Sequence, residues 1–562
     1  MTEMTGGQAA VEALKAEGTS LVFGLIGSAT MEMFDALYDA PEIRFIGVRD
    51  ERTGTHMADG FARMSGQAGV ILAGQNGPGA TNLVTGLAQA RAAYSPVVSI
   101  AGALATGHVY RDAFQEVDQQ SLFKPVTKKT LTATSADRIP EMFREAFREA
   151  MAPRRGPVQL NLPRDVLAAK ADFDDFQKPA QYRPYSAPGG APGAIKRAAR
   201  LLAEAARPVI IAGGGIKNTG GADQCMALAK ALNCPVVSSP GHGDAISFGH
   251  PLNAGQMGPR GNVVASRLVR EADVILALGT RVGFNATFYS YDNINRDARI
   301  IHVELEPTAI GRYFPVEIGI MADAPTAAEQ LRKAVDRLTA RGQANDWTKT
   351  FQAERAAFLQ SRDDEAQVDA IPIHPTGLFK TLRDVVPQDA AITMDAGTLC
   401  LQATDALNYW SAKSLFTPLD FGLVGFSFAC GLGIKLAAPE RPVVSLMGDG
   451  GFGMTVSELS TAVDYGINTV TVVMNNCCWG AEKAYQRDFF GERYIGADLS
   501  NPPFDKLAEL YGAKGYRTET LEDTARAIED ALDCGKPAVV DVQVDPSALY
   551  SFRRDSFKHR GG

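Results

Sequence analysis

The stretch VVSLMGDGGFGMTVSELSTAVDYGINTVTVVMNN, residues 443–476, decides how the rest of the chain is read. An apolar, β-branched run ends in Gly448-Asp449-Gly450-Gly451, a helical segment follows, and a second apolar run ends in Asn475-Asn476. Short continuous apolar runs are the pattern of strands buried on both faces, and strand–helix–strand is the unit of a parallel sheet. Both strand ends then open at the same edge of one sheet, the place where open α/β folds bind ligands. Asp449 and the side-chain carbonyl of Asn476 offer two oxygen donors there. Cys478, two residues on, is placed to add a backbone carbonyl. Such donors suit Mg²⁺, which completes its octahedron with phosphate oxygens or water. The glycines let backbone N–H groups come close to a diphosphate. The unit is therefore read as an anchor for a metal-bound diphosphate. Gly448, Asp449, Gly450, Gly451 and Asn476 face the ligand, and Asp449, Asn476 and Cys478 face the metal. A plain strand-to-helix turn accounts for a lone Gly-Asp-Gly but not for paired amides at the second strand end.

The same alternation extends in both directions. Residues 373–548 contain the strand candidates AAITMDAG, RPVVSLMGDG, TVTVVMNN and PAVVDVQVD. Residues 195–338 contain RPVIIAGGGI, CPVVSS, VILALGTRVG and RIIHVELEP, and residues 4–165 contain LVFGLIG, RFIGVRD, GVILAGQNGPG and SPVVSIAGA. A Pro-rich stretch, 171–194, reads as a linker, and 342–372 as a polar helical connector. The predicted fold is α/β, with three doubly wound parallel-sheet domains at 1–170, 195–340 and 373–548 and a tail at 549–562. A length of 562 residues accommodates this at about 150 residues per domain.

Composition excludes several function classes. With a net charge of −8, a nucleic-acid role has no electrostatic support. Seven cysteines without a CxxC pair favour neither a disulfide framework nor a zinc site. The first residues, MTEMTGGQAAVEALKAEG, lack the basic and apolar regions of a signal peptide. No apolar run reaches the roughly 18 residues of a membrane span. The cytoplasm is the expected location, with no membrane partner.

The Gly-Asp-Gly…Asn-Asn unit, the ADGFAR stretch at 58–63 and the loop Gly74-Gln75-Asn76-Gly77-Pro78-Gly79 together resemble the thiamine-diphosphate-dependent enzymes of the acetolactate synthase and decarboxylase superfamily. The resemblance runs over nearly the whole length in the family's order: pyrimidine-binding, middle and diphosphate-binding domains. It implies thiamine diphosphate and Mg²⁺ as cofactors, with Asp449 and Asn476 on the metal. It places Glu51, before the ADGFAR helix, on the cofactor's aminopyrimidine. There a carboxyl in an apolar setting favours the tautomer that removes the C2 proton. Without the resemblance, Glu51 reads as a helix N-terminal charge. Asp50 stands where many relatives carry histidine, so a proton relay at that position is not expected. Val424 takes the place of the bulky side chain that bends the cofactor; a core valine is the competing reading. Asn76 and Gly77 fall on the cofactor loop. Gln75, and Gln115 within Phe114-Gln115-Glu116, face the reacting carbon. His56, one turn beyond Glu51, is an acid–base candidate or a packed helix residue.

A narrower similarity is to the sulfoacetaldehyde acetyltransferases. It rests on Trp479-Gly480-Ala481-Glu482-Lys483, Gln486, Asp488-Phe489, the FQEV at 114–117 and Phe552-Arg553-Arg554-Asp555. It implies a small anionic carbonyl substrate and phosphate as acceptor. Lys483, Arg487, Arg553 and Arg554 are the candidate anion ligands, since guanidinium forks match sulfonate and phosphate oxygens; each is otherwise a solvated surface charge. GDGGFGM and the C-terminal residues match only loosely, which keeps open an acetolactate synthase-type carboligase and a 2-oxo acid or 2-hydroxyacyl-CoA decarboxylase or lyase. An intact Glu51 argues against an inactive scaffold. Gly213-Gly214-Gly215 and Leu278-Gly279-Thr280-Arg281 are a weak nucleotide signal. Acetolactate synthases bind a flavin in this domain, and the reading here is an empty one. The family also implies a homodimer or homotetramer, with Glu51 and Asp449 meeting across a subunit interface.

Overall fold

The structure, a computed structural model, describes residues 2–174, 176–184, 186–338 and 346–550. It contains three six-stranded sheets, each wholly parallel. In the first, the spatial order is Arg44–Gly47, Leu21–Leu25, Gly69–Ala73, Val97–Ala103, Val158–Pro163 and Lys129–Thr132. In the third it is Leu415–Phe416, Ala391–Met394, Val443–Gly448, Val470–Asn475, Ala538–Gln543 and Lys514–Thr518. Numbered within each domain, both read 2-1-3-4-6-5. The middle sheet, Asn253–Gln256, Val236–Ser238, Pro208–Ala212, Val274–Leu278, Arg299–Glu304 and Ile318–Met321, reads 3-2-1-4-5-6, the order of dinucleotide-binding folds.

The strands form where β-branched residues run together, and helices cover both faces, so Val470–Asn475 and Val97–Ile100 are wholly buried. Each fully buried Val, Leu or Ile contributes about 1.5–3 kcal/mol relative to an exposed one. The helices after the second strand of the first and third sheets, Glu51–Ser65 and Ser427–Ala437, pack directly on each other. Backbones come so close that a Cβ on Gly60 would lie 2.2 Å from the Cys430 carbonyl oxygen, and one on Gly433 1.9 Å from that of Met57. Met57 and Gly433 are each the seventh residue of their helix. The duplicated domains therefore meet near equivalent positions, and only glycine permits the approach.

Two expectations need correction. Residues 170–173 do not belong to a linker: Lys170–Phe173 pairs antiparallel with Thr2–Thr5, so the chain's start is a strand tied to the end of the first domain. Each domain also carries two strands beyond those predicted. Val158–Pro163 was obscured by Gln159 and Asn161, both buried; Asn161 Oδ1 accepts from Gln159 Nε2 and Gln119 Nε2. Polar side chains at these inward positions break the apolar run that marks a buried strand. The helical connector appears as Asp346–Asp364.

Candidate active site

The diphosphate-side cleft is built from two adjacent strand ends. Val443–Gly448 runs directly into a short helical turn, Asp449–Gly453, and Val470–Asn475 ends beside it. Asp449 is buried, and one carboxylate oxygen accepts from Asn501 Nδ2 at 2.7 Å. The same Asn501 amide donates to Asn475 Oδ1 at 3.2 Å, and Asn475 Nδ2 donates to Asp541 at 2.9 Å. Burial pushes the Asp449 carboxyl above its ordinary range, and the Asn501 hydrogen bond opposes that shift. The side-chain amide of Asn476 puts one terminal atom 3.3 Å from Asp449 Oδ1 and 3.1 Å from the Cys478 carbonyl. With nitrogen in that position, both contacts are hydrogen bonds. With oxygen there, it accepts from the Cys478 N–H at 3.3 Å and still faces two further acceptors, a grouping that a cation would stabilise. Among the described residues no three His, Cys, Asp or Glu side chains cluster. The donor set is thus one carboxylate, one amide and one main-chain carbonyl, which fits a hard cation rather than zinc. The Cys478 thiol is buried, with its pKa pushed up to about 11, so it packs rather than attacks.

The glycines have separate reasons. A Cβ on Gly450 would strike the Trp479 ring at 2.5 Å, and one on Gly451 would strike Asp395 at 2.2 Å and approach Val424 at 3.4 Å. Gly448 faces open space, which leaves room for a ligand over the turn. Val424 is half-buried against Gly451. Behind it lies Asp395, fully buried, accepting from the N–H groups of Gly425 and Phe426 at 2.9 and 3.0 Å. Burial raises its pKa to about 6.

A second group of candidate residues lies in the first domain. Glu51 opens its helix and is 4% exposed; Asn82 Nδ2 donates to its Oε2 at 2.9 Å. Its Oε1 lies against Gly79, 3.1 Å from where a Cβ would be. Burial raises the Glu51 pKa, with the Asn82 hydrogen bond opposing. Gly79 also abuts Gln75, so Glu51 adjoins the amide cluster. Within it Gln75 Nε2 donates to Gln115 Oε1 at 2.5 Å, Asn76 Nδ2 to the Gln115 carbonyl at 3.0 Å, and Ser28 Oγ to Gln75 Oε1 at 3.2 Å. Gly77 holds φ at 56° with its Cα face 2.6 Å from Gln115 O, measured to a Cβ that glycine lacks. Gln75, Asn76, Gly77, Gln115 and Glu51 are thus gathered at one place.

Other candidates are placed elsewhere. His56 is buried in the seam between the two packed helices, its ring 5.4 Å from that of Phe426. Burial, with Arg52 and Arg63 nearby, lowers its pKa to about 3, so it stays neutral and packs there instead of exchanging protons. Lys483 forms an ion pair with Asp498 at 2.6 Å, and Arg487 one with Asp488 at 2.7 Å. Arg553 and Arg554 lie outside the described residues. Asp50 caps its helix by accepting from Arg52 N at 2.7 Å. Sequence reasoning missed Asn82, Asn501, Asp395 and Asp541, which carry no motif and reach the site only through the fold.

A cavity of about 1380 Å³ opens at the switch point of the middle sheet. Gly214 and Gly215 line it beside Thr280 and Arg281, and it reaches Val424 and Glu482 of the third domain. Arg281 is held by Asp420 at 2.6 Å and stacks over Tyr94. Neither Glu51 nor Asp449 is in its wall.

Comparison with known proteins gives matches in the same three places. The thiamine pyrophosphate enzyme N-terminal TPP binding domain matches residues 4–122, the central domain 195–331 and the C-terminal TPP binding domain 395–542. Sulfoacetaldehyde acetyltransferase of Castellaniella defragrans is 35% identical, over 99% of this chain and 95% of that protein. A probable acetolactate synthase large subunit of Methanococcus aeolicus is 33% identical, over 98% and 93%. Sulfoacetaldehyde acetyltransferase of Alcaligenes xylosoxydans xylosoxydans is 33% identical, over 99% and 95%.

Proposed function

This chain belongs to the thiamine pyrophosphate enzyme family, and from that premise we propose that it is a thiamine-diphosphate- and Mg²⁺-dependent acyltransferase that converts sulfoacetaldehyde and phosphate to acetyl phosphate and sulfite. The observation that carries the cofactor assignment is the meeting of Asp449 Oδ1, the Asn476 amide and the Cys478 carbonyl around one point. These three would hold Mg²⁺, and the open space over Gly448 would leave room for the diphosphate. When bound, thiamine diphosphate supplies the carbon nucleophile and electron sink that such acyl chemistry requires.

The chain's own residues do the rest. Glu51, buried and bonded to Asn82, would meet the pyrimidine end, where burial makes its carboxyl easier to protonate than an exposed one. Val424, half-buried against Gly451, would pack against the cofactor. Gln75 and Gln115 orient the carbonyl oxygen of the substrate. The overall conversion needs no external oxidant: sulfite leaves with the C–S electron pair, the aldehyde C–H is given up as a proton, the methylene becomes a methyl, and a phosphate oxygen bonds the former aldehyde carbon. The choice of substrate is supported by the stretch Trp479–Lys483 and by the first-named relative. The proposal includes the family's assembly, a homodimer or homotetramer in which each site would join Glu51 of one subunit to Asp449 of another.

A second reading, a carboligase of acetolactate synthase type, is favoured by the cavity at the middle domain's switch point, which has room for a nucleotide cofactor. The test is direct. Purified protein with thiamine diphosphate and Mg²⁺ is given sulfoacetaldehyde or pyruvate, with and without phosphate. Phosphate-dependent release of sulfite and acetyl phosphate is expected. CO₂ and acetolactate from pyruvate, with flavin absorbance in the protein, would establish the carboligase instead.

A further inference from the structure

Glu458 lies in the third domain, nine residues after Asp449, and none of its surface is exposed. A buried carboxylate is costly unless its oxygens are satisfied, and here all its partners but one belong to the first domain. Oε1 accepts from the backbone N–H of Arg49 at 3.0 Å, from that of Asp50 at 3.2 Å, and from the Thr53 hydroxyl. Oε2 accepts from Thr461 Oγ1 at 2.6 Å. Asp50 is the N-cap of the helix that begins with Glu51, and Thr53 is the third residue of that helix. In an ordinary capping box, a carboxylate three residues into the helix reaches back to the N-cap N–H. Here that position is Thr53, whose hydroxyl is too short for the task and shares its one proton between Glu458 Oε1 and the Asp50 carbonyl. The missing carboxylate comes from another domain. Further contacts along the same seam are Gly47 N to Tyr465 Oη at 2.8 Å and Arg52 to the Met454 carbonyl at 3.0 Å.

We propose that Glu458 is a positioning residue for Glu51: by holding the N–H groups of Arg49 and Asp50, it fixes the first turn of the helix and so the direction of the Glu51 carboxyl. The proposal rests on the cofactor role of Glu51 given above. Glu458 sits on the segment that follows the Asp449 turn, so a shift of that turn is passed to the backbone before Glu51.

The test compares Glu458→Ala, Glu458→Gln, Glu458→Asp and Tyr465→Phe. Thiamine diphosphate binding with Mg²⁺ is measured first by calorimetry; absence of binding in the native protein would sink the cofactor reading, not this one. In cofactor-free protein, deuterium exchange of the peptide spanning residues 47–55 should accelerate at least tenfold in Glu458→Ala. In the loaded protein, C2 hydrogen–deuterium exchange should slow about tenfold in Glu458→Ala while cofactor affinity changes less than threefold. Glu458→Gln keeps an oxygen toward Arg49 and Asp50 and should restore both readouts. Tyr465→Phe, which loosens the same seam away from Glu51, should lower the melting temperature without slowing C2 exchange. If Glu458→Ala fails to fold, Glu458→Asp, which withdraws the carboxylate by one methylene, should slow C2 exchange severalfold. Unchanged C2 exchange in folded Glu458→Ala or Glu458→Asp, or equal slowing in Tyr465→Phe, overturns the proposal.

Discussion

Asn501→Ala is the sharpest probe of the proposed cation site, because Asn501 touches the carboxylate assigned to the metal but is not itself one of the assigned ligands. Its Nδ2 donates at 2.7 Å to Asp449 Oδ2 and at 3.2 Å to Asn475 Oδ1. A hydrogen bond to a charged group is worth about 1.5–3 kcal/mol, and groups that orient metal ligands typically account for about 10–100-fold in affinity. The two figures agree, since about 1.4 kcal/mol is a factor of ten. An opposing effect exists: a carboxylate freed of a donor has more electron density for the cation. It loses here because burial already raises the Asp449 pKa and the Asn501 bond is the main force lowering it. Without that bond, a proton competes with the metal at higher pH. Mg²⁺ titrations by calorimetry with thiamine diphosphate present should therefore show binding about 10–100-fold weaker in Asn501→Ala. The deficit should be larger at pH 6 than at pH 8, since cation binding needs the ionised carboxylate. A folded variant with Mg²⁺ affinity within about twofold of native at both pH values would refute the reasoning.

Two further outcomes follow from the geometry. Burial raises the folded pKa of Glu51, so the stability this group contributes is fully present below its unfolded pKa of about 4.3 and is lost as pH rises through the folded value. Glu51→Gln should thus melt above the native protein at pH 8 and level with it near pH 4, while C2 exchange slows by about 100-fold or more; identical melting at pH 8 would contradict the burial argument. Gly433→Ala puts a methyl 1.9 Å from the Met57 carbonyl oxygen, so the two helices must move apart. The expected loss is about 1–3 kcal/mol in denaturant unfolding, and an unchanged midpoint would mean the helices are less tightly apposed than described.

What the sequence made legible follows the range of the interactions. The three α/β domains and the Asp449–Asn476 unit were readable because strand, turn and ligand sit within one βαβ segment. Glu51, Gln75 and Gln115 were readable through the family motifs, and the fold brings them together. Asn82 and Asn501 were invisible because an exposed or half-buried amide has no local pattern; only the fold carries them to a carboxylate. His56 was ambiguous for the converse reason: one turn from Glu51 along the helix, it faces the Ser427–Ala437 helix rather than the cleft. Lys483 and Arg487 looked free because Asp498 lies across a chain reversal, and the Asp488 beside Arg487 gives no sign of pairing until the rotamers are known. Short edge strands such as Lys129–Thr132 and Lys514–Thr518 were missed because their outward residues are polar and exposed.

The close crossing at Gly60 and Gly433 also bears on how the chain emerges from the ribosome. Met57, Ala58 and Phe61 are covered by Phe428, Ala429 and Leu432, which are made most of a chain length later. At about 5–20 residues per second, that interval is on the order of 20–75 s. Throughout it the nascent first sheet, otherwise complete, carries a helix whose apolar face awaits its lid. Such a face is a natural landing place for a chaperone, and slower synthesis lengthens the time for which it stands uncovered.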